Sequence, residues 1–507
     1  MSAATLLSRV LGYGRDMVIA FYLGATGLSD AFFVSFRIPN LLRELLAEGS
    51  MASAFVPVLS KRQHSQGPQE ANRLVQVVLG FVLVAVGLLC LLGIALAPLA
   101  VAAVAPGFLD EPEKFSLAVL LTRVMFPFLL LVSLSSVLMG ALNTRGVFFL
   151  PALAPALLNA VVITSVLVLA PGMPNPALAA AVGITLGGLA QVLLQCPSAL
   201  RRGYSLRPLW QPAHPGLREI GLLVLPAVFA MAAGQLNVVV SSVLASFLPE
   251  GSITYLFYAF RLVHFPIGVF GVAMAVAALP TLSRHAAGRD FAALREDFSF
   301  SLRVLLFLSI PAMAGLIALR VPIVSTLFYR GRFDWAATQG TADALLLYAL
   351  GVWAMVGLRL LNAAFYALGD TRSPVRGAAA SVGANLALSL LLMGPLGYKG
   401  LALAGALAAT VNFTLLGRML IRRLQGLRWG AMLGSALKSL LASALMALAA
   451  VLLASRGPWG LAGHGPQKAL WLTVCVALSI GIYALVCYLL RSEELHYIIK
   501  RFKERRQ

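Results

Sequence analysis

The run "LVQVVLGFVLVAVGLLCLLGIALAPLAVAAV" (74–104) contains one polar residue, Gln76. About 20 consecutive apolar residues are enough for a helix to cross the hydrocarbon layer of a bilayer. Comparable runs recur along the whole chain. In lipid a backbone must satisfy its own hydrogen bonds, so many such runs fold only as a bundle of helices. The sequence therefore predicts an all-α polytopic membrane protein of about 14 transmembrane helices: 3–23, 28–60, 74–105, 115–142, 150–170, 177–200, 219–248, 253–284, 299–328, 339–368, 375–394, 398–424, 430–454 and 468–490. Composition agrees: 11% of the 507 residues are charged, against about 25% in soluble domains. The first helix lacks a basic leader and a small-residue cleavage site, so no cleavable signal peptide is expected. Cys90, Cys196, Cys475 and Cys487 fall at unrelated spacings inside helices, and they read as small apolar core residues, not as ligands or disulfides.

The net charge of +20 is distributed as a topology signal, with no nucleic-acid patch. Taking the connections between helices alternately, one set with the C-terminal tail holds roughly 23 Lys and Arg and the other roughly 6. Cytoplasmic loops carry the excess, which places both termini in the cytoplasm. The basic tail, 491–507, is amphipathic and would lie in solvent or against anionic membrane lipids.

Three matches share one offset. "FRIPN…AFVPVLSKR" (36–62) resembles "FRLVHF…AALPTLSRH" (260–285), "ALNTR" (141–145) resembles "ALGDTR" (367–372), and Pro98 matches Pro322. The offset, about 224 residues, equals six helices. The expected organisation is an N-terminal lobe (1–200, helices 1–6), a C-terminal lobe (219–424, helices 7–12), two additional helices (430–490) and the tail. An even number of spans per copy makes the repeat parallel, an architecture used by transporters that work by alternating access around a site between lobes.

The first two helices carry Arg9, Arg15, Asp16, Asp30, Arg37, Arg43, Glu44 and Glu48. Each charge costs about 2.5–3.5 kcal/mol near the bilayer centre, so lipid exposure of all eight is untenable. They must face a hydrated interior and pair in part. Arg9 and Asp16 lie one heptad apart, and Asp30, Arg37, Glu44 and Glu48 fall on one stripe at 100° per residue if Pro39 only kinks the helix. A structural ion-pair network stapling the two helices is one reading; a ligand site is the other. The second lobe adds Arg261, Arg320 and Arg359 with no acid expected inside its helices, and Arg123 lies in helix 4. Arg320 reads as interfacial, and Arg123 and Arg359 can snorkel. Arg261, mid-helix and the repeat mate of Arg37, is the best second-lobe site residue. His264, one turn on, reads as a core histidine or a titrating group. A net-positive interior suits an anion, because guanidinium pairs bidentately with carboxylate and phosphate.

Other chemistry is missing from the sequence. There is no GxxxxGK[ST] loop for ATP, and no HExxH, CxxC pair or GxSxG elbow. No metal, cofactor or catalytic residue is expected. A membrane-embedded glycosyltransferase would need a large outer domain or a carboxylate constellation, and neither is visible.

The segments "SRVLGYGRD", "SDAFFVSFRIPNLLRELLAEGSMASAFVPVLS" and "FRLVHFPIGVFGVAMAVAALPTLS" resemble the MurJ (MviN) lipid II flippase family of the multidrug/oligosaccharidyl-lipid/polysaccharide exporter superfamily. The resemblance runs from about residue 5 to about residue 490. It implies 14 helices in two six-helix lobes with two more, a multi-pass place in the bacterial cytoplasmic membrane, and transport of the undecaprenyl-diphosphate-linked peptidoglycan precursor, lipid II, to the outer face for cell-wall synthesis. The apolar tail would lie in a groove lined by helices 13 and 14, and the cell-wall synthesis machinery is a possible partner. The family's "SRVLGxxRD" charges correspond to Arg9, Arg15 and Asp16, its "TDAFF" aspartate to Asp30, the first arginine of its "NLLRR" to Arg43, its "AEG" glutamate to Glu48, and its eighth-helix arginine to Arg261. The resemblance thus implies that Arg9, Arg15, Arg43 and Arg261 bind the diphosphate and adjacent sugar, and that Asp16, Asp30 and Glu48 orient arginines or gate by exchanging ion pairs; Arg37, on the same stripe, is expected to share the gating or ion-pair role. Family members often carry acids where this chain has Phe260 and His264, so their local salt bridge does not transfer. The alternatives are an exporter of another lipid-linked glycan and a cation or multidrug antiporter of the same superfamily. Excess arginine counts against a cation site.

Overall fold

The computed structural model describes residues 2–48, 50–424, 426 and 429–504. The helices, in order, are α1 (Ser2–Leu23), α2 (Gly27–Arg43), α3 (Ser50–Ser65), α4 (Gly67–Ala95), α5 (Ala97–Val104), α6 (Pro112–Met125), α7 (Pro127–Thr144), α8 (Phe149–Leu169), α9 (Pro176–Arg201) and α10 (Pro215–Ala245). They continue as α11 (Ser252–Pro266), α12 (Val272–Ala287), α13 (Phe291–Ala318), α14 (Arg320–Phe328), α15 (Trp335–Ala349), α16 (Val352–Ala367), α17 (Arg372–Leu396), α18 (Tyr398–Leu424), α19 (Trp429–Ala454), α20 (Gly465–Leu489) and α21 (Glu493–Glu504). Among the described residues, all 14 expected segments lie on helix for most of their length. Ten described segments are long and apolar enough to cross a membrane, or eleven if α15 and α16, bent by 46°, count as one. The expected span 3–23 misses that standard because it carries three charges, 28–60 is divided into the shorter α2 and α3, and 219–248 is represented by the shorter apolar stretch Gln235–Ala245.

The chain forms two compact units. One runs to Gly251 and includes Gly331–Phe333; the other holds Ser252–Arg330 and everything from Asp334 on. In the first, apolar side chains of α4 point outward (Leu88, Leu91 and Leu92 are more than half exposed), while Asp16, Asp30, Ser35 and Thr122 are buried. That inversion suits a lipid solvent. Close approach of α8 and α9 rests on small residues: a Cβ on Gly187 would sit 3.1 Å from Leu158, and one on Gly183 3.0 Å from Ser165. A core of Phe55, Leu59, Leu74, Val78, Leu142 and Tyr204 joins α3, α4 and α7.

The duplication recurs element by element. A π-helical turn, Glu44–Glu48, follows α2, and another, Ile267–Gly271, follows α11, about 223 residues on. A proline precedes each, Pro39 within α2 and Pro266 at the end of α11. Extra-residue turns of this kind are a known cause of helix bending. The spans α4–α5 and α13–α14 break at matched leucines, Leu96 and Leu319, just before Pro98 and Pro322. The compact units and the expected copies divide the chain differently: α10, expected to open the second copy, packs on α3 and α4 in the first unit, which also takes in Gly331–Phe333.

Candidate functional site

In α1 the carboxylate of Asp16 is buried, 1% exposed. Arg15 folds back along its own helix, and its Nε and Nη2 both donate to Asp16 Oδ1, at 3.0 and 2.7 Å. The guanidinium is 12% exposed. Breaking a buried ion pair on one side is strongly destabilising, so the pair forms a unit. Arg9, expected on the same face as Asp16, is exposed beside Leu6 and Val10. The heptad relation gives a shared angle on the helix but not a shared depth.

The stripe along α2 is ordered. Asp30, in the first turn of α2, is 1% exposed. Its Oδ2 accepts the Gly251 N–H at 2.7 Å and lies 3.9 Å from Lys114 Nζ. One heptad on, Arg37 Nη1 donates to Ser242 Oγ. A second heptad on, Glu44 Oε2 accepts from Gln235 Nε2. The N–H of Gly27 is bonded to Glu250 Oε1. Positions 30, 37 and 44 thus meet 251, 242 and 235, an antiparallel polar ladder between α2 and α10 with its following turn. Seven residues of helix rise about 10.5 Å on either side, which keeps the lower rungs in step.

Arg43 sits at the last turn of α2. Its Nε donates to Asn40 Oδ1 at 3.0 Å, and the same amide's Nδ2 donates to Glu44 Oε1 at 2.9 Å. The direct approach of Arg43 to Glu44 is 3.9 Å, long for a charge-assisted bond. The backbone of Glu48 closes the π-helical turn; its side chain lies outside the described part.

In the second unit Arg261 is half-buried on α11, one turn before the π-helix. The neighbouring positions pack as rings: Phe260 and His264 stand edge to face at 4.3 Å, and Phe260 also meets Tyr348 at 5.3 Å. His264 is exposed, and its Nδ1 is 3.1 Å from the Phe260 carbonyl, so it is not a core histidine. Arg320 donates to the Ile317 carbonyl, and Arg123 and Arg359 are exposed. One expectation needs correction. A helix of this unit does carry an acid: Asp343 in α15 pairs with Lys399 at 2.6 Å. Asp343 lies midway along α15, and the Lys399 stem reaches it from the first turn of α18.

Sequence reasoning missed Lys114, Asn40, Gln235 and Ser242 as partners of the charged stripe. The heptad spacing of Gln235 and Ser242 mirrors that of Glu44 and Arg37. A glutamine and a serine in an apolar helix are common packing groups, however, and their direction could not be read without the fold.

A family model described as "Lipid II flippase MurJ" matches residues 19–464. A relative from Vibrio cholerae, described as a probable lipid II flippase MurJ, is 35% identical over 97% of this chain and 95% of its own length. A solved structure described as lipid II flippase MurJ in an inward closed conformation superposes with a TM-score of 0.80 at 24% identity, covering 97% of this chain and 98% of that one. An inward-facing multidrug transporter of the MATE family and MOP superfamily shares the fold more distantly, with a TM-score of 0.68 at 18% identity over 82% of this chain and 95% of that one.

Proposed function

We propose, from the premise that this chain belongs to the lipid II flippase MurJ family, that it carries lipid II from the inner to the outer leaflet of the bacterial cytoplasmic membrane by alternating access, for peptidoglycan synthesis. The cargo's diphosphate is an anion that must pass an apolar barrier. A carrier therefore has to offer cations where lipid offers none. The observation that carries the reading is the placement of Arg15 and Arg43 within helices rich in apolar residues, neither side chain fully exposed and each oriented by a hydrogen-bonded neighbour. Arg9, Arg15, Arg43 and Arg261 are the proposed ligands of the diphosphate and adjacent sugar. Planar forks bind such oxygens two at a time. Asp16, Asp30, Arg37 and Glu48 are the proposed orienting and gating charges. Excess arginine disfavours an organic-cation cargo.

The test is growth rescue of cells depleted of their lipid II flippase. The unmodified chain should sustain growth, while Arg15→Ala and Arg261→Ala should abolish rescue at normal membrane abundance. Arg15→Lys should be impaired too, since an ammonium lacks the fork. Full rescue by both alanine variants would sink the cationic-site assignment. Failure of the unmodified chain, with lipid II transport lacking in vesicles, would sink the cargo.

A further inference from the structure

Gln235 donates to Glu44, which is not among the residues assigned above as ligands of the cargo, yet that bond ends a continuous chain of hydrogen bonds that leads to one. Its amide N–H donates to Glu44 Oε2, Asn40 Nδ2 donates to the other carboxylate oxygen at 2.9 Å, and Asn40 Oδ1 accepts from Arg43 Nε at 3.0 Å. The direction of each amide is forced. A carboxylate accepts only and a guanidinium donates only, so neither amide can turn over without facing like with like. Asn40, Arg43 and Glu44 are neighbours on one helical face through their i,i+3 and i,i+4 spacings. Gln235 alone comes from another element.

The ladder explains why Gln235 arrives at that height. Asp30 holds the Gly251 N–H, and Arg37 holds Ser242, which itself donates to the Val238 carbonyl at 2.7 Å. With α10 fixed lengthwise at two rungs, the third falls at Glu44, in the turn where the helix loosens into π geometry. The amide from α10 holds the Glu44 carboxylate there.

We infer that Gln235 is a positioning residue for Arg43, setting the direction of its guanidinium through Glu44 and Asn40. The inference rests on the reading of Arg43 as a ligand of the lipid diphosphate. It assigns to α10 a share in cargo affinity that its own side chains do not contribute by contact. The fork of an arginine binds two oxygens only when its plane is aimed, so loss of the aim weakens binding without removing the charge.

The test is a set of double-mutant cycles on the full chain in detergent, read by equilibrium binding of lipid II. Arg43→Ala comes first. If it leaves binding unchanged, Arg43 is not a ligand and the inference falls with that reading. If it weakens binding, Gln235→Ala in the parent should weaken it about tenfold, and Gln235→Glu, the same shape without the N–H, at least as much. Asn40→Ala cuts the chain from the other side and should give the same loss without altering α10. In the Arg43→Ala background all three should change binding less than about twofold, whereas in the Arg15→Ala background they should keep their full effect. Wild-type affinity in Gln235→Ala and Asn40→Ala, with Arg43→Ala weakened, would overturn the positioning role alone. An equal loss with and without Arg43 would also overturn it, by showing that the residues act through packing.

Discussion

Both N–H bonds from Arg15 fall on one oxygen of Asp16, and that oxygen belongs to a carboxylate that is 1% exposed. Removing one member of such a pair leaves a buried ion without its counterpart, which costs about 3–5 kcal/mol. Removing both costs far less, because the desolvation disappears with the charges. Structural and transport roles therefore separate. Arg15→Ala should lower the thermal stability of the detergent-solubilised protein, Arg15→Ala with Asp16→Ala should recover most of it, and neither should restore growth. Recovery of growth by the double variant would make Arg15 a structural residue only. The sequence showed that these charges had to pair, since lipid rejects them singly. It did not show that Asp16 pairs with its immediate neighbour while Arg9, a heptad away, stays exposed. Periodicity reports angle around a helix, and a long side chain folding along the helix overrides it. In the same way the exchange of acids for Phe260 and His264 was legible, but not that the two rings would pack on each other.

At the scale of elements, helix ends follow local chemistry closely. Asp370 precedes α17, where its carboxylate accepts the N–H of Ser373 at 3.0 Å and the Ser373 hydroxyl at 2.8 Å, with Arg423 at 2.7 Å. The Ser373 backbone N–H foremost, then its hydroxyl, hold the carboxyl below its ordinary value. A carboxyl with a depressed folded value stabilises the fold above the unfolded value of about 3.9, and that contribution is lost as pH falls through the lower folded value. Asp370→Asn should thus unfold at a lower temperature than the parent at pH 7, and the gap should close as pH is taken below about 4. A gap independent of pH would mean that the ion contributes nothing beyond its shape. The "ALGDTR" stretch announced this turn, and its repeat mate "ALNTR" has Asn143 and Thr144 in the same place. The π-helical turns after α2 and α11 were not legible. Proline marks a disturbance but not its form, because the surplus residue is accommodated by packing against neighbours that the sequence does not identify. Nor could the ladder between α2 and α10 be read in advance, although both halves of its heptad spacing were in view.

Charge sorts the ends of each unit as a whole, and the proposed orientation in the membrane rests on that sorting. In the first unit, connections expected in the cytoplasm gather at one end: Lys61 and Arg62 reach Glu219, His214 meets Glu70 at 3.0 Å, and Arg73 meets Gln211. The other end collects Lys114 with Glu111 and Asp30, and Glu250 with Gly27. The second unit repeats the division, with Arg423 on Asp370 and Arg303 on Glu493 at one end, and Lys399 on Asp343 and Lys468 over the Tyr329 ring at the other. Loops assigned to one side by alternation are thus neighbours in space, as an unbroken alternation of spans requires. A single span missed or added in either unit would have sent such partners to opposite ends. The absolute direction is a proposal that rests on the positive-inside bias, roughly 23 against 6 basic residues. Single cysteines at Arg207 and Arg289 should then resist a membrane-impermeant thiol reagent applied to intact cells, and single cysteines at Glu111 and Gly463 should react. The background needs all four native thiols replaced; Cys90, Cys475 and Cys487 are buried and Cys196 is partly so, so replacement by alanine or serine must first be shown to keep growth rescue. Opening the cells should make 207 and 289 reactive as well, which separates sidedness from burial. Labelling of 207 from outside with 463 protected would reverse the orientation, and labelling of 207 and 463 together would break the alternation between them. Either result would also remove the cytoplasmic address from the Asp370 end of the second unit, because that address rests on the same count of crossings.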